Sequence, residues 1–220
     1  MNDKEQKTLK EIIELYIKTA RPVGSKILSE NRKFAVSSAT IRNIMLELER
    51  TSYITQPHTS AGRIPTIDGY RFYLDNLLSI KPPSAQEQQE LKKAYKKDLR
   101  ELAKLLAVKT NLVTIVGFGP HDLYFTGLFN LFSQPEFEDY KMVLSISQVV
   151  DSLEKAIADI YQSVTGPAVL LGDQNPFSEF CSVVVTLLSN RKGELLAVLG
   201  PVRMDYNRVL GLLEGVDKIT

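Results

Sequence analysis

Arg42 and Asn43 are the side chains of this sequence best suited to reading another molecule. A guanidinium offers two parallel donors that match guanine O6 and N7, and a carboxamide can pair with adenine N6 and N7. Both lie in the segment VSSATIRNIMLELE. Just ahead of them, Ser37, Ser38 and Thr40 carry short hydroxyls that suit phosphate oxygens at a helix N-terminus, where the helix dipole also favours an anion. A second donor-rich group follows in QPHTSAGRIPT, where His58, Thr59, Ser60 and Arg63 form a small tip. Such a tip can follow a phosphate backbone or enter a minor groove. Arg42 or Asn43 alone would read as a solvated surface residue. All of them beside a capped helix and a Gly- and Pro-marked hairpin point instead to double-stranded DNA.

Other chemistry is weakly supported. Gly117-Phe118-Gly119-Pro120 lacks a third glycine and a following Lys-Ser/Thr, so it makes a poor phosphate-cradling loop. Cys181 heads an apolar run with no histidine near it in sequence and reads as a buried, inert thiol. His121-Asp122 reads as a loop dipeptide, and Glu136, Glu138 and Asp139 as a solvated loop and helix start. With only one cysteine and two histidines, a four-ligand zinc site of the Cys type is excluded. No set of residues meets the geometric demands of a catalytic site, so neither an enzyme nor a cofactor is expected.

The DNA-facing residues need elements to hold them. Ile41, Ile44, Met45 and Leu48 fall at i, i+3, i+4 and i+7, one apolar stripe of helical period, and Ser37 and Ser38 stand where a hydroxyl can cap it. The spacing predicts a short strand over Tyr53–Gln56 and another over Arg63–Pro65, with Pro57, Ser60 and Gly62 marking the turn. Gly62 is expected to take a backbone conformation that other residues avoid. Upstream, Leu9, Ile12, Ile13, Tyr16 and Ile17 form a helix stripe ending near Arg21-Pro22. A short helix follows over Ser25–Asn31, with Ile27 and Leu28 facing inward, then a turn through Arg32–Ala35. Tyr70, Tyr73, Leu74, Leu77 and Leu78 predict a closing helix that packs on the first. The layout is a helix-turn-helix with a wing.

Composition agrees without deciding. Residues 1–80 hold 12 Lys+Arg against 9 Asp+Glu, a net of +3, and the other 140 hold 15 against 17, a net of −2; a mildly basic first domain suits a polyanion. No apolar run is long enough to span a membrane, the N-terminus is unlike a signal peptide, and the single cysteine fits a reducing cytoplasm. Lys81-Pro82-Pro83-Ser84 marks a boundary. Domains are therefore expected at 1–80, with a linker helix over 81–107 and a second domain over 108–220. The linker helix carries Leu91, Tyr95, Leu99, Leu102 and Leu106 as its seam, either packed on its own domain or paired with its copy in a dimer. Strands are predicted over Leu112–Phe118, Lys141–Ile146, Pro167–Leu171, Cys181–Leu188 and Glu194–Leu199. Ser189–Gly193 is the hairpin connection between the last two, and helices are predicted over Val149–Ser163 and Asp205–Ile219. Leu123–Phe132 reads as an aromatic core run. This pattern is α+β.

The segments PVGSKILSE, VSSATIRNIMLELE, QPHTSAGRIPT–DGYRFYLD, GLFNLFSQPEFED, LLGDQNPF and LGPVRMDYNRVLGLLEGV resemble the bacterial heat-inducible transcription repressor HrcA family over most of the chain. The resemblance implies a winged helix-turn-helix DNA-binding domain, then a GAF-like α+β domain that is truncated here. It also implies a homodimer on an inverted-repeat operator ahead of chaperone operons, with the GroEL chaperonin assisting repression. The sequence departs from the family pattern at Ile44, where members carry an acidic residue. It departs again between Pro120 and Asp122, where they carry a long stretch with a dimerisation domain. The Leu91–Leu106 seam is the expected substitute interface, and the surface around Phe125, Phe129 and Phe132 the competing one. A ligand-sensing regulator with a small molecule in the GAF-like domain is the alternative function.

Overall fold

The computed structural model describes residues 1–30, 36–59, 61–138, 151–188 and 193–219, and the chain divides into two units, Met1–Ser79 and Ile80–Thr220. In the first unit, helix α1 (Asp3–Thr19) starts at a capping box. The Asn2 side chain accepts from the backbone N–H groups of Lys4 and Glu5, and the Glu5 carboxylate accepts from Asn2 in return. Its Leu9, Ile12 and Ile13 are fully buried. Helix α2 (Ser25–Glu30) buries Leu28 but leaves Ile27 53% exposed, which corrects the inward placement of both. Consecutive residues point about 100° apart on a helix, so a single short turn can aim only one of the pair at the core. Helix α3 (Ser38–Arg50) buries Ile41, Met45 and Leu48, the stripe its spacing predicts.

Strands β1 (Ile54–Thr55) and β2 (Ile64–Pro65) pair antiparallel, with Ile54 opposite Pro65 and Thr55 opposite Ile64. The Thr66 side chain then caps α4 (Ile67–Phe72), accepting from the Gly69 N–H at 3.0 Å and donating to the Ser52 carbonyl at 2.6 Å. The helix runs on as a π-helical turn, Tyr73–Leu77. Tyr70 and Tyr73 are buried, while the wider turn leaves Leu74, Leu77 and Leu78 half-buried. Lys10 of α1 donates to the Leu77 carbonyl at 3.0 Å, holding the last turn to the first helix.

The second unit is built on a five-stranded antiparallel sheet in the order β4-β3-β7-β6-β5, from β3 (Val113–Gly119), β4 (Asp122–Thr126), β5 (Ala168–Leu171), β6 (Cys181–Leu187) and β7 (Leu195–Pro201). Alternate residues Val113, Ile115, Val183, Val185 and Ala197 join a core with Leu153, Ile157 and Ile160 of helix α8 (Leu153–Ser163). The opposite alternation, Val116, Val184, Leu196 and Val198, is also buried, and on that side α6 (Leu99–Thr110) lies against β3 and α9 (Tyr206–Asp217) against β6. Covering both faces explains why these strands read as unbroken apolar runs rather than as alternation.

Two elements differ from expectation. The linker helix predicted over 81–107 is two: α5 (Ala85–Lys97) ends at Asp98, whose extended backbone (φ −173, ψ 152) lets α6 turn back and pack on α5. Leu91, Leu99, Leu102 and Leu106 are consequently 0% exposed within this unit, with Tyr95 half-buried, so the seam leucines hold α5 and α6 to their own domain and have no surface left to pair with a copy. The aromatic run Leu123–Phe132 is an edge strand, β4, followed by the short helix α7 (Leu128–Phe132). Gly127 makes the corner at φ 91, and a Cβ there would lie 2.4 Å from the Leu112 carbonyl oxygen. The strand expected at Lys141–Ile146, the turn at Arg32–Ala35 and most of the Ser189–Gly193 connection lie outside the described residues.

An ion-pair cluster ties α5, α6 and α9 together. Glu87 accepts from Arg208, and Lys109 stands 3.8 Å from Glu87 and 2.6 Å from Glu90. The Arg208 guanidinium and the Ser84 N–H hold the Glu87 carboxyl down at about 2, against an ordinary 4.5. A lowered folded-state value stabilises above the ordinary carboxylate range, and that contribution is lost as pH falls from about 4.5 toward 2. Glu87→Gln is therefore expected to lower the urea midpoint modestly at pH 7, since the pair is partly solvated. The two proteins should converge near pH 2, as urea titrations at both pH values would report.

Candidate nucleic-acid interface

The N-terminal half of α3 is a cluster of hydroxyls with two free polar side chains behind it. Ser37 caps the helix, accepting from the Thr40 N–H at 3.2 Å, and its Oγ lies 3.0 Å from Thr40 Oγ1. Ser38 sits 3.1 Å from Ser25 Oγ, which joins the starts of α2 and α3. Ser37 and Thr40 are exposed and Ser38 is half-buried. Each hydroxyl keeps acceptor or donor capacity for a further partner. Arg42 and Asn43 are exposed, Arg42 on the flank of α3 beside the buried stripe and Asn43 on the side away from it, and neither takes an ion-pair or hydrogen-bond partner among the described residues. The acids of α3 are engaged elsewhere: Glu47 pairs with Arg50 at 2.7 Å and Glu49 with Arg63 at 2.8 Å. Among the described residues no acid compensates the charge of Arg42.

Between α3 and the hairpin runs a groove of about 410 Å³, lined among others by Ser25, Arg42, Leu46, Gln56, Thr59 and Arg63. Leu46 was not singled out by the sequence. It is 50% exposed, one turn beyond Arg42, and an exposed apolar side chain there suits a thymine methyl group. Its signal was an apolar residue at i+4 from Arg42, off the buried stripe.

The hairpin presents His58 and Thr59, both exposed; Ser60 lies outside the described residues. The Ala61 N–H donates to the His58 carbonyl at 2.9 Å, closing the turn. Gln56, also missed, donates from its amide to the carbonyls of Thr59 and Ala61 at 2.9 Å each, a side-chain brace inside the loop. Arg63 stands at the base rather than the tip. Its backbone exchanges two 2.8 Å hydrogen bonds with Val23, and its side chain, 16% exposed, reaches Glu49. Arg63 therefore connects hairpin and α3, and only its groove-facing side is open to a ligand.

Gly62 differs from expectation in its reason. Its φ is not in the left-handed region, where the structure places Gly127, Gly172 and Gly193. Instead a Cβ at Gly62 would lie 2.5 Å from the carbonyl carbon and oxygen of Val23. Close approach of two backbones is what glycine permits here.

Burial pushes the Cys181 thiol up to about 12, and the charge of Glu136 adds to the shift, so no thiolate forms at neutral pH. Among the described residues no group of three or more His, Cys, Asp or Glu side chains could hold a metal, and no helix is long and apolar enough to cross a membrane.

Residues 70–210 match the family model described as the HrcA protein C terminal domain. A heat-inducible transcription repressor HrcA of Symbiobacterium thermophilum is 42% identical over 127 residues, which is 54% of this chain and 37% of that relative. The protein of the same name from Desulforamulus reducens is 26% identical over 328 aligned positions, covering 97% of this chain and 94% of the relative. Since 97% of 220 residues is about 213, about 115 of those 328 positions face no residue of this chain. Among solved structures, the crystal structure of a hypothetical protein at 2.2 Å resolution superposes with a TM-score of 0.74 at 20% identity, covering 100% of this chain and 99% of that one. That likeness speaks for the fold alone.

Proposed function

The chain belongs to the HrcA family of heat-inducible transcription repressors, and on that premise we propose that it represses chaperone genes by binding an inverted-repeat operator as a homodimer. Residues 1–80 act as the winged helix-turn-helix, with α3 in the major groove and the hairpin as wing. The observation that carries this reading is Arg42, exposed and lining the groove between α3 and the hairpin with no partner among the described residues, and the exposed Asn43 next to it. Arg42 and Asn43 read base edges. Ser37, Ser38, Thr40, His58, Thr59 and Ser60 bind phosphates. Arg63 braces the wing and meets DNA only along the groove. Residues 108–220 serve as a GAF-like dimerisation and regulatory domain of a cytoplasmic protein, and the GroEL chaperonin is the partner that family membership suggests. Titrating a labelled inverted-repeat duplex from ahead of a chaperone operon against a scrambled duplex tests the reading. The operator should bind about 10³-fold or more tightly; equal affinities would overturn it.

With the Leu91–Leu106 seam buried, the dimer contact passes to the aromatic surface. Phe129 is 81% exposed, Val108 79% and Phe132 38%. Asn130, next to Phe129, donates to the carbonyl of Ala107, next to Val108, at 3.1 Å, so these apolar groups stand on adjoining elements of one unit. Phe129→Glu is expected to turn a dimer into a folded monomer in light scattering. Operator affinity should fall about 10²-fold or more, because the second half-site loses its tethered partner. A dimer that survives the charge excludes this surface.

A further inference from the structure

The most basic stretch of the chain lies outside the DNA-reading unit. Residues 92–104 contain Lys92, Lys93, Lys96, Lys97, Arg100 and Lys104 against Asp98 and Glu101. That is a net of +4 within a chain whose total is +1, so the rest sums to −3. Lys92, Lys93, Lys96, Lys97 and Arg100 are exposed, and the Lys104 side chain is 54% accessible. On α5, Lys92 with Lys96 and Lys93 with Lys97 are i, i+4 neighbours on adjoining rows, while Leu91 turns inward and is fully buried.

The patch continues onto α6. The Glu101 carboxylate lies 3.2 Å from Lys97 Nζ and 2.9 Å from Lys104 Nζ, one anion shared by two cations on two helices. The Arg100 guanidinium sits 5.5 Å from the centre of the Phe118 ring and 5.7 Å from that of Tyr124, which positions it without neutralising it. Favourable interaction with the α5 C-terminal dipole accounts for lysines in the last turn. It does not account for six cations spread over two helices.

We propose that this face of α5 and α6 binds the phosphate backbone of double-stranded DNA, adding sequence-independent affinity to the readout by α3. The proposal rests on the repressor reading. DNA fits better than an anionic membrane, because none of the exposed large hydrophobic residues falls within 92–104, and interfacial helices need an apolar face. Only Leu78 and Ser79 lie between the end of the α4 segment and the second unit, which begins at Ile80 and whose Lys81 N–H donates to Asn207, so once α3 is on its site so short a connection confines the patch near the same duplex. A reading unit with a net charge of only +3 gains most from such help.

The test uses the full chain and the variant K92Q/K93Q/K96Q, whose thermal melt should match wild type because the three side chains are exposed. Both proteins are titrated with the inverted-repeat and the scrambled duplex from 50 to 200 mM salt. The variant should bind both duplexes several-fold more weakly at low salt, with their affinity ratio preserved. Its slope of log affinity against log salt should be smaller by about 2.7, at about 0.9 for each of three lost phosphate contacts. An unchanged slope in a variant that still binds the operator overturns the surface alone. A wild-type chain that binds neither duplex overturns the repressor reading and this surface with it. Co-sedimentation with phosphatidylglycerol vesicles that the variant loses, while its DNA slope stays unchanged, overturns it in favour of an anionic lipid.

Discussion

Gly62→Val is expected to abolish specific operator binding while leaving the second unit folded. The substituted Cβ would stand 2.5 Å from the carbonyl carbon and oxygen of Val23 and 2.8 Å from its nitrogen, so backbone must move. What moves is the bridge in which Val23 and Arg63 exchange two 2.8 Å hydrogen bonds. Losing both bonds and forcing the packing costs about 2–4 kcal/mol in the first unit. The base of the hairpin then separates from the segment ahead of α2, and the Arg63–Glu49 pair that links hairpin and α3 is pulled apart. The cause can be distinguished from a conformational one. If glycine were needed for a left-handed backbone, Gly62→Asn would be tolerated better than Gly62→Ala. Because close approach is the constraint, Gly62→Ala should damage operator binding nearly as much as Gly62→Val, with circular dichroism reporting the helices intact.

Arg42→Ala is the second large effect. An exposed arginine with no partner among the described residues loses none of their contacts when it is truncated, so fold stability should change by less than about 0.5 kcal/mol. On the operator the loss should be about 1–3 kcal/mol, with sequence preference relaxed at one position of each half-site. Lys26→Ala and Arg21→Ala, exposed cations within and ahead of α2, should instead weaken binding to operator and scrambled duplexes alike. Equal losses on both duplexes for Arg42→Ala would reassign that side chain to the backbone.

The parts of this protein legible in its sequence are those governed by local rules. The α3 stripe and the Ser37 cap follow from spacing and from one hydroxyl ahead of an apolar run, and the β1–β2 hairpin from its Gly and Pro punctuation. What was missed depends on contacts remote in sequence. The break at Asp98 lies in a stretch of strong helix formers and is stabilised because α6 can bury Leu99, Leu102 and Leu106 against α5, the sheet and α9. A continuous amphipathic pattern does not encode that choice. The need for glycine at position 62 is legible, but its cause is not, because the backbone it must admit belongs to Val23, 39 residues earlier. Gln56 looked like an ordinary strand-end residue until its amide was seen to hold two loop carbonyls. The position of Arg63 follows from Glu49 on another element, which no motif in the hairpin announces.

Selection from a library of random double-stranded sequences, carried out in parallel with wild-type chain and Arg42→Ala, tests most directly whether α3 reads DNA. A repressor of this design should enrich an inverted repeat from the wild-type selection within a few rounds. The variant should recover the same repeat with one position per half-site degraded. Enrichment of no common sequence by the wild-type chain, or of an identical repeat with identical stringency by Arg42→Ala, would contradict it.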